Sequence, residues 1–134
     1  MLAKTGRDEI MKVLAEVGMG AVVLGPEQGK YGTVETHDDA KLCAELFRAN
    51  AERIDGVIVT LPNFGDEWAV AETLRLARLG VPLLVQASPD TADKMTPQFR
   101  RDSFCGKISV CNNLHQFGIP FSLTSEHTEA VVAR

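Results

Sequence analysis

The sequence predicts a single α/β domain, a three-layer arrangement in which a parallel sheet of about four strands carries helices on both faces. Three observations predict it. Apolar residues at helical spacing alternate with short β-branched runs. The run GVIVTL at 56–61 is continuously apolar, with only Thr60 polar inside it, as in a strand covered on both sides. The helix exit Gly-(Val or Ile)-Pro occurs twice, at 80–82 and 118–120, each time with a strand directly behind it. In that exit the glycine supplies the left-handed residue that ends a helix, and the proline opens a strand where no donor is yet needed.

The elements follow in order. Thr5, with Asp8 three residues on, reads as the cap of a first helix whose face is Ile10, Val13, Leu14 and Val17, stopped by Gly18. A short strand is expected at 21–24. Thr36 and Asp39 repeat the capping pattern, and Ala40, Cys43, Phe47, Ala51 and Ile54 make one face of a second helix. After the strand at 56–61 come a helix from about Asp66 to Leu79, a strand at 83–86, a helix from about Gly106 to Phe117 and a strand at 121–124. No linker or low-complexity segment interrupts residues 1–134. An open α/β domain commonly begins with a strand, whereas this sequence begins with a helix and closes with a stub at 126–134. It reads as an incomplete domain lacking its first strand, one part of something larger.

Composition narrows the function classes. With 134 residues, one domain with a sizeable core is expected, and 45% hydrophobic against 24% charged residues excludes a disordered chain. A net charge of −4 and a single tandem arginine pair leave no basic stripe for a phosphate backbone, so nucleic acid is not the expected partner. No apolar run approaches the roughly 18 residues of a membrane span, and the first seven residues lack the apolar stretch of a secretory signal. The expected compartment is the cytoplasm. Cys43, Cys105 and Cys111 are odd in number with no C-x-x-C pair, which points to free thiols in a reducing environment.

Ligands of an open parallel sheet collect at the carboxyl ends of its strands. One such end opens LPNFGDEW at 61–68. Asp66 fits the N-cap of the following helix and Glu67 its first turn, where carboxylates favour the positive helix end and the cap contributes about 0.5–2 kcal/mol. Because these carboxylates already occupy the terminus that would attract phosphate, a neutral polyol suits the loop better than a phosphorylated ligand. Adjacent residues at a helix start diverge by roughly 100°, so Asp66 and Glu67 make a poor acid–base pair on one substrate. The second stretch, RRDSFCGKISVCNN at 100–113, ends its Gly106-Lys107 pair on Ile108 and has Arg101 where a phosphate-binding loop needs glycine, so nucleotide binding is not expected. Cys105 near Lys107 is either a thiol of lowered pKa at a helix start or a small buried residue, and Arg100 and Arg101 either hold a carboxylate on a neighbouring surface or stay solvated. Cys111 reads as core. His37, His115 and His127 lie far apart with no zinc-type spacing, and no G-x-S-x-G elbow is present, so no metal ligand and no catalytic residue is assigned.

Two runs carry a likeness to known proteins: DGVIVTLPNFGDEWAVAETLRLARLGVPLLVQASPD and RRDSFCGKISVCNNLHQFGIPFSLT. They resemble the N-terminal region of the L-fucose isomerase/L-arabinose isomerase-like family, and the likeness extends from about Thr5 to His127. The resemblance implies a flavodoxin-like or Rossmann-like sheet within a larger aldose–ketose isomerase. It implies a manganese-type divalent metal held by acidic residues and a histidine of later domains, a homo-oligomer, and loops lent to the active site of a neighbouring subunit. On this reading Asn63, Phe64, Gly65, Asp66, Glu67 and Trp68 approach a neutral monosaccharide across an interface, while Arg100, Arg101 and Asp102 support the interface or the loop. The chain alone would then be inactive. The family pattern has an opening strand that is missing here, which leaves a hole or an exposed sheet edge, so that the fragment either self-associates along that edge, the outcome expected, or is less stable than a complete domain. The alternative is a small-sugar binding module, since DGVIVT and GVPLLV are also similar to one lobe of the type-1 periplasmic-binding and repressor effector fold. A stand-alone enzyme using the Asp66/Glu67 pair is the third reading.

Overall fold

The structure, a computed structural model, describes residues 2–131; Met1 and the last three residues of the closing stub lie outside the described residues. Four helices, α1 (Leu2–Glu16), α2 (His37–Ala49), α3 (Glu67–Ala77) and α4 (Ser103–Gln116), accompany three strands, β1 (Val57–Leu61), β2 (Leu83–Ala87) and β3 (Ser122–Leu123). All strand pairs are parallel and the sheet order is β1-β2-β3. This is the α/β architecture expected, with β1 and β2 aligned over five residues from Val57 opposite Leu83 to Leu61 opposite Ala87.

Side chains of a strand alternate between faces. The odd-numbered set, Val57, Leu61, Leu83, Val85 and Ala87, is buried in one cluster with Ala71 of α3 and Val110 and Leu114 of α4. Two right-handed crossovers that step in the same direction across a sheet put α3 and α4 on this same face. α2 packs alongside α3, and Phe47 reaches the cluster from it. The even-numbered face meets α1 and the chain after β3. A Cβ on Gly6 of α1 would sit 2.6 Å from Cβ of Pro62, so only glycine lets the helix backbone come this close. On the same face Thr60 Oγ1 donates to Gln86 Oε1 at 2.6 Å, and Gln86 Nε2 donates to the Glu129 carbonyl.

Local signals explain most boundaries. The capping box at Thr36 and Asp39 forms as expected, each residue accepting the other's backbone N–H. Asp66 caps α3, its Oδ1 accepting from the Ala69 N–H at 2.8 Å. Gly18, Gly80 and Gly118 all have positive φ where helices end. Four expectations are corrected. The first helix begins at Leu2, so Thr5 lies inside it and does not cap it. Residues 21–24 form no strand, leaving three strands where about four were expected: the run is apolar but makes no ladder hydrogen bond with any described residue, and a strand exists only where a neighbour pairs with it. Ala51 to Ile54 leave the second helix for a 3-10 turn at Ala51–Arg53. The last helix starts three residues before Gly106, at the buried Ser103.

Gly6 gives this packing a direct test. Gly6→Ala should gain about 1 kcal/mol of helix propensity yet lose more to overpacking against the rigid proline, for a net destabilisation of about 1–2 kcal/mol in denaturant unfolding. A more stable variant would mean that α1 does not rest on Pro62.

Candidate functional site

At the carboxyl end of β1 the chain turns into residues 62–66, and three ties hold that turn against the start of α4. The Phe64 N–H donates to the Arg101 carbonyl at 2.7 Å. Arg101 Nη1 returns a bond to the Pro62 carbonyl at 2.9 Å, while its own N–H is taken by Asp90 Oδ1. A Cβ on Gly106 would come within 3.3 Å of Phe64 Cα, so the glycine admits the loop backbone onto the helix. Arg100 is turned the other way, with Nε donating to Asp102 Oδ2 at 2.8 Å. Asp102 precedes α4 in the left-handed region, φ 53°, and its side chain caps nothing.

Each residue singled out in the sequence now has a place. Asn63, Phe64, Gly65, Asp66 and Glu67 share the rim of one cavity of about 680 Å³ that continues along β1 toward Ile10, Val23 and Phe47. Asn63 spends its amide on the Phe64 carbonyl at 2.7 Å, leaving its side-chain oxygen as an acceptor. Phe64 is 48% exposed, an apolar surface beside that acceptor. Asp66 keeps one oxygen for the helix cap and presents the other. Trp68 is not at this rim; it stacks on Phe117 with ring centroids 5.1 Å apart. Arg101 is joined to the loop directly, whereas Arg100 and Asp102 pair with each other beside it. The rim therefore offers acceptors and an aromatic face, a set that receives hydroxyl donors and stacks against a ring.

The exposed run 91–100 projects from the same edge and carries Met95 and Phe99 into solvent, with Phe104 of α4 also uncovered. Cys105 is exposed at the start of α4, so it is not the small buried residue of one reading. Cys43 is buried beside the cavity, and burial pushes its thiol up to about 11, which keeps it un-ionised and unreactive at neutral pH. Away from this edge, the Arg75 guanidinium holds the Glu72 carboxyl below its ordinary range, in a surface group with His37. Among the described residues no three His, Cys, Asp or Glu side chains come together in a group that could hold a metal ion. No helix of the described residues is long and apolar enough to cross a membrane.

Sequence reasoning missed Lys107. Its side chain is buried, yet Nζ donates to Thr124 Oγ1 at 2.9 Å and to the His127 carbonyl at 3.0 Å, with the Glu126 carbonyl at 3.4 Å. The ammonium thus fastens the turn after β3 to α4, and the Phe104 ring contact with His127 adds to it. The lysine after Gly106 thus holds the turn after β3, in keeping with the expectation that this stretch is not a phosphate-binding loop.

A family described as fucose/sulfoquinovose isomerase, N-terminal domain, matches residues 1–133, and the chain belongs to it. No curated protein and no solved structure matches. The anchoring by Lys107 has a measurable consequence within such a domain. Lys107→Met should destabilise by about 1–3 kcal/mol, since hydrogen bonds from a charged group are lost at a part-buried site. Amide exchange at residues 124–127 should quicken first; unchanged exchange there would contradict the anchoring role.

Proposed function

We propose that this chain acts as the substrate-contacting and oligomerisation domain of an aldose–ketose isomerase, presenting its carboxyl-edge loops to a neutral monosaccharide in the active site of a neighbouring subunit, and that it is not catalytic alone. Membership of the fucose/sulfoquinovose isomerase N-terminal family supports the reaction class. The observation that carries the reading is the fastening of the 62–66 turn to Arg101 and Gly106, because a loop meant to meet a sugar from outside must be held before it arrives.

Asn63 Oδ1, the free oxygen of Asp66 and the Glu67 carboxylate accept from sugar hydroxyls, and Phe64 covers an apolar face of the ring. Met95 and Phe99, exposed on the run that leaves the same edge, supply the apolar contact with the neighbouring subunit. A manganese-type ion, as the sequence resemblance implies, is held by the remaining domains and not by this chain. Three free cysteines suit the reducing conditions of the cytoplasm.

Two measurements test this. Incubated with manganese and L-fucose, the chain alone should form no ketose; conversion would overturn the division of labour, and tight sugar binding without conversion would favour an independent binding module. In the multi-domain enzyme, Asn63→Ala should raise KM about tenfold, the loss of about 1.4 kcal/mol of substrate binding, with kcat changed less than about twofold. An unchanged KM would remove Asn63 from the substrate.

A further inference from the structure

The turn at 62–66 is held by residues that do not themselves line its cavity. Neither Asp90 nor Arg101 is part of that lining, yet together they close a ring around residues 62–64. The ring starts in the sheet, where the Ser88 N–H donates to the Leu61 carbonyl at 3.0 Å. Pro89 follows, its φ fixed by the pyrrolidine ring, so the position of Asp90 is set from the end of β2. Asp90 Oδ1 then accepts from the Arg101 N–H. Arg101 completes the ring, with Nη1 donating to the Pro62 carbonyl at 2.9 Å and its own carbonyl accepting from the Phe64 N–H at 2.7 Å. The Phe64 carbonyl in turn accepts from Asn63 Nδ2, the bond that orders the Asn63 amide and leaves its oxygen as an acceptor.

We infer that Asp90 is a positioning residue for the sugar-facing turn, acting through Arg101 on Phe64 and Asn63; the inference rests on the reading that this turn meets the substrate. What separates Asp90 from Arg101 makes the contact necessary. All ten residues 91–100 are exposed, and the amides that bond there, at Lys94, Phe99 and Arg100, bond to Thr91 and Thr96 within the run. A ten-residue run can span about 33 Å, so covalent connection alone does not place Arg101 against the turn. The Asp90 carboxylate does, by tying the far end of the excursion to its near end. On its other side Arg101 adjoins Asp102, which stands in the left-handed region at φ 53° with its side chain capping nothing. A residue other than glycine persists in that region where its surroundings over-determine it, and the three bonds of Arg101 to Asp90, Pro62 and Phe64 do so here.

The experiment compares Asp90→Ala, Asp90→Asn and Asp90→Glu, by kinetics in the multi-domain enzyme and by amide exchange in the chain. Asp90→Ala should raise KM about fivefold with kcat changed less than about twofold, and should quicken exchange of the Phe64 amide at least about tenfold while the amides of the β1–β2 ladder keep their protection. Asp90→Asn keeps an oxygen acceptor at the same place and should stay within about twofold of the parent in both measurements. Asp90→Glu keeps the charge but moves the oxygen by a methylene. It should reproduce the defect in part, at least about threefold in KM, and it supplies the test should the alanine variant not fold. Two results would overturn the inference whatever the turn binds: an unchanged Phe64 amide in Asp90→Ala and Asp90→Glu, or a loss in Asp90→Asn as large as in Asp90→Ala. A quickened Phe64 amide with KM unchanged would overturn it differently, by removing the turn from the substrate and with it the reading on which the role of Asp90 rests.

Discussion

The five-residue pairing of β1 with β2 is the constraint from which the rest of this structure follows. Backbone donors and acceptors shut away from water must find partners, and here they find them strand to strand, in a register that sets Leu61 opposite Ala87. Both strands therefore end at the same level. The Ser88 N–H closes the ladder on the Leu61 carbonyl, so the two exits diverge from a common line. One leads to the 62–66 turn and the other to the long excursion that returns at Arg101. Had the register slipped by one residue, the buried set Val57, Leu61, Val85 and Ala87 would face the wrong side and the two loops would no longer meet.

What was legible in the sequence depended on how local its cause was. The Thr36–Asp39 box and the Asp66 cap act across three residues, and both were read correctly. Both buried strands announced themselves through continuous apolar character. Residues 21–24 carry the same character and form no strand, because propensity supplies half of a strand and a neighbour the other half. Thr5 looked like a cap because Asp8 follows it, yet the helix already runs from Leu2, and Gly6 within it lies against Pro62, more than fifty positions away. At the site, the composition of the 63–67 loop was readable, whereas its fastening was not. Arg101 reaches Pro62 across 39 positions and Lys107 reaches His127 across 20, and no spacing rule covers either. Trp68 was grouped with its neighbours in sequence, but one step along a helix turns a side chain by roughly 100°, and its ring lies on Phe117.

β1 thus has two roles separated by direction. Along its axis it aims the 62–66 turn at the carboxyl edge, where acceptors and Phe64 gather. Across its axis it pairs with β2 on one side and borders the same cavity with Ile58 and Thr60.

The central claim is that this chain positions a substrate and leaves the metal chemistry to other parts of the enzyme. Titration of manganese into the chain, followed by the electron paramagnetic resonance signal of the free hydrated ion, tests it most directly. The signal should rise in step with added metal through several equivalents. Its suppression up to one equivalent, reversed by a chelator, would reveal a metal site built by these residues and contradict the claim.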